Sequence, residues 1–272
     1  MAKSISAGSI ASIAQDTGAS NTDFVTDDPT LTLAGSATVA GNGNAATLGI
    51  WISGGSFGTG NGGKGTLVGT VSLSGSGSWT FDLTTSGVVS ARSLADGTYT
   101  IRISDGSSSG ATVRATQVLI EDTTAPQSPT IALVADAVAP VTGTVQNGGV
   151  TNDVTPTLSG TAEANSSVTI FDATTLLGTV TANGSGAWNF TTGALGQGSH
   201  SFTAKATDAA GNISSASGVY TIAVDATAPS APTITAVADD VGPVTGTVQN
   251  GEVTDDLTPT LSGTAEARAV SR

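Results

Sequence analysis

The sequence predicts an all-β chain built as a tandem array of small β-sandwich domains, and three observations carry that reading. The segment Asp122–Ala164 recurs from Asp225 to Ala267 with 33 of 43 positions identical, at a constant offset of 225 − 122 = 103 residues. A fixed period of about 100 residues is too long for a solenoid repeat and suits a small sandwich domain. Next, 36 Gly and 9 Pro punctuate short runs of Thr, Ser, Val and Ala, and no window sustains a helical period. Finally, those runs alternate apolar with polar residues, as strands with one buried face do.

The period divides the chain into three units. Residues 122–224 form one complete repeat, and residues 1–121 hold a divergent earlier copy. Val25-Thr26-Asp27-Asp28 matches Val150-Thr151-Asn152-Asp153, Leu67–Val71 matches Leu176–Val180, and Gly75–Phe81 matches Gly184–Phe190. Residues 225–272 begin a third copy that loses the pattern after Ala267, so it reads as a unit cut short.

Within the complete unit, strands are expected at Thr130–Val134, Thr155–Ala162, Ser167–Asp172, Leu176–Ala182, Ala187–Thr191, His200–Thr207 and Gly218–Val224. Turn residues separate them at Asn183-Gly184, Gly196-Gln197-Gly198 and Asp208–Asn212. About seven strands in roughly 100 residues is the count of an immunoglobulin-like sandwich. Phe202, Ala204 and Ala206 alternate onto one face of their strand. Trp188 and Phe190, two residues apart, share a face and belong to the core.

Composition bounds function. Twenty-one acids against eight bases give a net charge of −13, a field that repels nucleic acid and anionic membrane and favours cations. Cysteine is absent, so stability must come from the cores or from a metal. No apolar run approaches the ~18 residues of a membrane-spanning helix. The N-terminal stretch lacks the apolar core of a cleavable signal peptide.

Several segments carry a family resemblance: Gly198–Asn212, the Asp-x-Thr-Ala-Pro joints at Asp122 and Asp225, and the Thr-Pro-Thr-Leu-Ser-Gly-Thr-Ala runs. The chain resembles the bacterial Ig-like repeats that build the shafts of large surface adhesins and biofilm-associated proteins. The resemblance implies export by type I secretion, which uses no N-terminal signal, and hence an extracellular, cell-surface location. It also implies calcium at and near the joints, with neighbouring repeats of the same polypeptide as the immediate partners.

The residues support calcium on their own account. Ca²⁺ takes six to eight oxygens from carboxylates, carbonyls and water. Near the start of each unit, acids cluster in an irregular stretch: Asp16, Asp23, Asp27 and Asp28; then Asp136 and Asp153; then Asp239, Asp240, Asp255 and Asp256. Unit two carries Ala137 and Asn152 where unit three carries Asp240 and Asp255, so its site is expected to bind calcium more weakly than that of unit one. Asp122 and Asp225 open the joints. Asp105 and Asp208 each precede the joint acid by 17 residues (122 − 105 = 225 − 208 = 17), and are expected to converge on the joint that follows. The competing reading is that these aspartates form turns.

Other candidates weaken. Gly58–Gly65 nearly spells a phosphate-binding loop, but a strand follows it where a helix is needed, and Gly65 stands where Ser or Thr belongs. The stretch Ser53–Gly65 reads as a mobile connector. His200 is the single histidine. It follows Leu195-Gly-Gln-Gly as Tyr99 follows Leu94-Ala-Asp-Gly, the position of a corner residue that bonds backbone, although a two-residue gap leaves that alignment open. With one histidine and no cysteine there is little material for nucleophile–base pairs or zinc, and no enzyme is expected. The expected function is a calcium-stiffened adhesin shaft. The alternatives are a carbohydrate- or ligand-binding module set, or accessory domains of a secreted enzyme.

Overall fold

The computed structural model describes residues 3–14, 23–27, 31–43, 45–55, 57–83, 94–243 and 245–266. Unit one contains β1 (Ser4–Ala14), β2 (Val25–Thr26), β3 (Thr32–Ala40), β4 (Ala46–Gly54), β5 (Thr66–Leu73), β6 (Gly77–Asp82), β7 (Gly97–Asp105) and β8 (Val113–Glu121). They form two sheets, β1-β3-β6 and β2-β8-β7-β4-β5. Unit two contains β9 (Thr130–Asp136), β10 (Gly143–Val145), β11 (Gly149–Thr151), β12 (Thr157–Thr161), β13 (Ser167–Asp172), β14 (Thr175–Thr181), β15 (Ala187–Thr191), β16 (Gly198–Thr207) and β17 (Tyr220–Val224). Its sheets run β10-β9-β12-β15 and β11-β17-β16-β13-β14. This is the immunoglobulin-like sandwich architecture that the strand count implied.

Unit two has nine strands instead of about seven. The two additions, β10 and β11, are three residues each, too short to show alternation. They mark where the chain crosses between sheets: β10 pairs antiparallel with β9, while β11 pairs parallel with β17 (Gly149↔Ile222 to Thr151↔Val224). Unit one repeats the device with β2 parallel to β8.

The alternating residues pack as their period requires. Phe202, Ala204 and Ala206 are fully buried, and Phe202 and Ala204 pack with Val134, Leu158, Val168, Ile170 and Trp188 in the gap between the two sheets. Each such aliphatic or aromatic side chain removed from water contributes about 1.5–3 kcal/mol. A separate core in unit one gathers around Trp79, Tyr99, Leu33, Ile50 and Ile103. Among the described residues no helix is long and apolar enough to cross a membrane.

One glycine is indispensable to this packing. β12 meets β9 with a bulge opposite Gly160, where a Cβ would lie 1.8 Å from the Thr130 carbonyl oxygen and 2.8 Å from the Trp188 ring. Gly35 repeats the arrangement against Ser9 and Trp79, and Gly263 against Thr233. The Leu-x-Gly signature therefore encodes a bulge and the indole slot beside it.

The stretch Ser53–Gly65, expected to be mobile, is instead anchored. Ser53 and Gly54 finish β4, and a single turn at Gly60–Gly63 places Asn61 and Gly62 in the left-handed region (φ 57° and 68°). Lys64 is buried, with its ammonium 5.5 Å from the Trp51 ring and donating to the Ser109 carbonyl. Arg102 Nη1 donates to Ser53 Oγ at 2.8 Å and to the Lys64 carbonyl at 3.3 Å. β5 follows directly, so no helix stands ready for a phosphate.

Unit three forms one sheet, β19-β18-β20, from β18 (Thr233–Asp239), β19 (Gly246–Thr247) and β20 (Thr260–Thr264). A unit cut short of its later strands is expected to dock Asp225–Pro229 on unit two and to leave the rest mobile or loosely packed. The strands form because the pairings are local and repeat those of β10-β9-β12. Among the described residues no second sheet covers this one: Leu261 is 60% exposed and Leu257 97%, whereas Leu158, the counterpart of Leu261, is fully buried.

Replacing Gly160 with Ala is expected to destabilise unit two by about 1–3 kcal/mol through overpacking. Gly184→Ala, where an added Cβ meets nothing within 4 Å, should stay within about 0.5 kcal/mol. Urea melts of the two variants check both values.

Candidate functional site

The direction of the last two strands decides which acids can meet. β7 begins opposite the end of β8 (Gly97↔Glu121) and β16 opposite the end of β17 (Gly198↔Val224). Asp105 and Asp208, at or just past the far ends of β7 and β16, therefore lie at the end of the unit opposite the joint that follows. This overturns their expected convergence on that joint. Asp105 instead accepts from Ile5 N at 2.9 Å and pairs with Arg114 at 3.3 Å. Asp208 accepts from Asn212 N at 2.9 Å and from Asn212 Nδ2 at 3.0 Å, and the same amide donates to the Asp122 carbonyl at 2.7 Å. Asp208 thus serves the joint before its own unit, and the shared 17-residue spacing reflects a common loop position.

The acids of the first crossing between sheets lie at the exit end. In unit two Asp136 ends β9, and its Oδ2 accepts from Thr151 Oγ1 at 2.6 Å while Oδ1 accepts from Val138 N at 2.7 Å. Asp153 Oδ2 accepts from Ala137 N at 3.0 Å. Its Oδ1 accepts from Thr155 N at 2.8 Å and Thr155 Oγ1 at 3.1 Å. Unit three repeats the set: Thr254 Oγ1 to Asp239 at 2.6 Å, Val241 N to Asp239 at 3.0 Å, and Thr258 N to Asp256 at 2.7 Å. Asp240 supplies its N–H to Asp256 Oδ2 at 3.5 Å, while its own side chain is exposed. Asp255 is exposed and lines a shallow groove with Asp239 and Glu252.

Every carboxylate oxygen of Asp136, Asp153, Asp239 and Asp256 accepts from protein N–H or O–H groups, and all four side chains are buried. Burial alone would raise the Asp153 carboxyl, but the donors on Ala137 and Thr155 outweigh it and hold it below its ordinary value. The Thr258 N–H does the same for Asp256. All four cap turns, the competing reading of the sequence.

The first joint differs. Asp23 caps Val25 N at 3.1 Å, and Asp27 presents a buried Oδ1 that has no hydrogen-bond donor among the described residues. Glu121, paired across the rung Thr26↔Glu121, is also buried. At the second joint, Asn152 stands in place of Asp27 with its own Oδ1 buried and unpaired, and Val224 in place of Glu121. Asp16 and Asp28 lie outside the described residues. Among the described residues, no three His, Cys, Asp or Glu side chains gather as a metal-holding group.

Side chains that the repeat pattern did not single out hold the joints themselves. Asp96 accepts from Thr123 N at 3.0 Å, Thr123 Oγ1 at 2.8 Å and Thr124 Oγ1 at 2.8 Å; these donors lower its carboxyl pKa. At the second joint Gln197 Oε1 accepts from Ala226 N at 3.1 Å. Asp122 and Asp225 cap Thr124 N and Thr227 N, and their own N–H groups donate to Thr26 and Thr151. A signal for Asp96 and Gln197 was available: both immediately precede the glycine of the Leu-x-x-Gly corner. Tyr99 and His200 follow that glycine, and the structure settles their alignment, since Tyr99↔Leu119 and His200↔Ile222 occupy the same rung. The Tyr99 hydroxyl donates to the Ala95 carbonyl at 2.6 Å, and His200 Nε2 lies 3.0 Å from that of Gly196.

Residues 125–226, essentially unit two, match the family model of the bacterial Ig-like domain. No curated protein matches the chain. Among solved structures, a biofilm-associated protein BSP domain is 24% identical with a TM-score of 0.26, covering 75% of this chain and 29% of that one. The fibronectin(III)-like modules of Clostridium thermocellum CbhA are 16% identical with a TM-score of 0.38, covering 71% and 85%. The D0-D1 domain of intimin is 15% identical with a TM-score of 0.22, covering 72% and 92%. The chain thus spans less than a third of the biofilm-associated structure.

Asp153→Ala is expected to cost about 1–3 kcal/mol, the penalty for leaving buried donors without an acceptor. Because the Asp153 pKa is depressed in the folded state, its contribution is present above the ordinary carboxylate value near 3.8 and fades as pH falls through the folded value. Wild type and variant should therefore converge in stability in strong acid, as acid-dependent urea melts will check.

Proposed function

We propose that the chain is a non-catalytic structural module: part of the shaft of a bacterial surface adhesin, in which tandem Ig-like units act in adhesion or biofilm formation outside the cell. The observation that carries this reading is the pair of clamped joints. Asp96 holds three donors of the first joint and Gln197 one of the second, each reaching from the unit before. Linkers this short, with proline at Pro126 and Pro229, have few backbone states to lose, and the clamps remove several of those that remain. A series of such units would transmit tension and hold a distant tip away from the surface. The ligand-module alternative would need exposed aromatics beside Ser53–Gly65, where Trp51 is 2% exposed and Phe57 is half-buried.

Calcium is part of the proposal at the first joint. Asp27, with its buried and unpaired Oδ1, would hold the ion, and carbonyls and water would complete a shell of about six to eight oxygens. Bound there, the ion would supply positive charge to an end of the unit that is rich in carboxylates.

Two outcomes test the reading. Asp96→Ala should free the first joint, so that small-angle scattering gives a shorter, more variable particle; an unchanged profile would sink the clamp as the stiffening element. Several millimolar Ca²⁺ should raise the melting temperature over EDTA, with Mg²⁺ much less effective. Saturation at 100 times Kd is worth about 2.7 kcal/mol. Asp27→Ala should abolish that rise and Asp153→Ala should preserve it, whereas identical melts in all three conditions would remove calcium from the proposal.

A further inference from the structure

His200 sits between two acceptors. Its Nδ1 lies 2.6 Å from Asp172 Oδ2 and its Nε2 lies 3.0 Å from the Gly196 carbonyl. A neutral imidazole has one N–H, so it can serve only one of these oxygens and must turn a lone pair toward the other. Only the imidazolium donates to both. The ring is stacked on Phe202 with centroids 6.2 Å apart, and its side chain is 12% exposed, so it has little room to turn away.

The two residues arrive as a pair. Unit one has Tyr99 at the rung of His200, and at the rung of Asp172 (Asp172↔Phe202) it has Ile52 (Ile52↔Ile101). The tyrosine makes the same backbone contact, with apolar Ile52 in place of the Asp172 carboxylate. Unit two therefore replaces a neutral corner by an acid–base pair. Asp172 also accepts from Ser201 N at 2.8 Å, which fixes its carboxylate against β16.

The corner is one residue from the joint. Gly196, held by His200, precedes Gln197, whose side-chain oxygen accepts from Ala226 N. We infer that His200 is a proton-operated latch: its imidazolium fixes the Gly196–Gln197 turn, and the turn fixes the second joint, so that deprotonation loosens this joint and leaves the first one unchanged. The first joint is the built-in control. Its corner is Tyr99, and its clamp is Asp96, which stays ionised above the carboxylate range.

The groups facing His200 are few. β13 presents Asp172, β17 presents Ile222 across the rung, the preceding turn presents the Gly196 carbonyl, and Asp225 at the end of β17 directs its carboxylate to Thr227 N. Burial pulls the imidazole pKa down, but the Asp172 hydrogen bond, the Gly196 carbonyl and the Asp172 charge together raise it above its ordinary 6.5. A raised folded-state value means that the stabilisation is complete below 6.5 and is lost as pH rises through the folded value.

The experiment uses the whole chain, in which a single histidine gives one imidazole signal by NMR. Both ring nitrogens are expected to carry protons at about pH 6.5, with titration above that value. Amide-exchange protection of Ala226, relative to Thr123, should fall on deprotonation by about tenfold for each unit of pKa elevation. Installing the pair of unit one, H200Y with D172I, should flatten that response. Gln197→Ala should remove the protection of Ala226 at every pH while His200 still titrates high. The latch is overturned if His200 titrates at or below its ordinary value, or if Ala226 tracks Thr123 across the range. Protection that survives Gln197→Ala also overturns it, and these readouts decide the matter even if the double variant does not fold.

Discussion

A sandwich without cysteine must hold its two sheets in register at the point where the chain passes from one to the other. In unit two that passage lies between Val145 and Gly149, and the buried carboxylates of Asp136 and Asp153 span it. Asp136 closes β9 in one sheet and takes the hydroxyl of Thr151, which closes β11 in the other. Asp153 then returns to Ala137 N and caps Thr155 N. Each bond to an ionised carboxylate contributes about 1.5–3 kcal/mol. β11 in turn sets the rung Thr151↔Val224, and Asp225 N donates to Thr151 O, so the joint takes its departure point from this crossing.

The recurrence of acids at fixed positions was legible in the sequence; their use was not. A carboxylate that caps a turn and one that binds calcium leave the same letter in an irregular, glycine-rich stretch. The donors around Asp136, Asp153, Asp239 and Asp256 show the turn-capping use, which the sequence alone does not. Strand positions were legible because alternation and turn residues bound them, as at Ser167–Asp172 and Ala187–Thr191, where the observed limits coincide with the expected ones. β10 and β11 escaped because three residues show no period.

The placement of Asp105 and Asp208 failed for a topological reason. Equal spacing from the joint says that two loops correspond, but not at which end of the unit they lie. That depends on strand direction: β7 and β16 start at the exit end and run away from it. Asp96 and Gln197 escaped for the opposite reason. They do the same work with different chemistry, one as a carboxylate and one as an amide, so repeat identity hides them and only the shared corner glycine points to them. The His200 alignment was open because β16 is two residues out of step with β7 against the 103-residue period, which the common rung resolves.

The local character of the sheet β19-β18-β20 bears on how such a chain is made. Its strands and its Asp239–Thr254–Asp256 bonds lie within residues 233–264 and assemble with no second sheet over them. Contacts that are close in sequence form early and quickly. During synthesis from the N-terminus, the leading strands of each unit can therefore pair before the trailing ones leave the ribosome. That order leaves an apolar face uncovered while a unit is half built, as at Leu261, which is 60% exposed. The sister unit, 33 of 43 residues identical over this region, passes through the same half-built stage. In a chain of near-copies the hazard of misfolding is exchange of halves between neighbours.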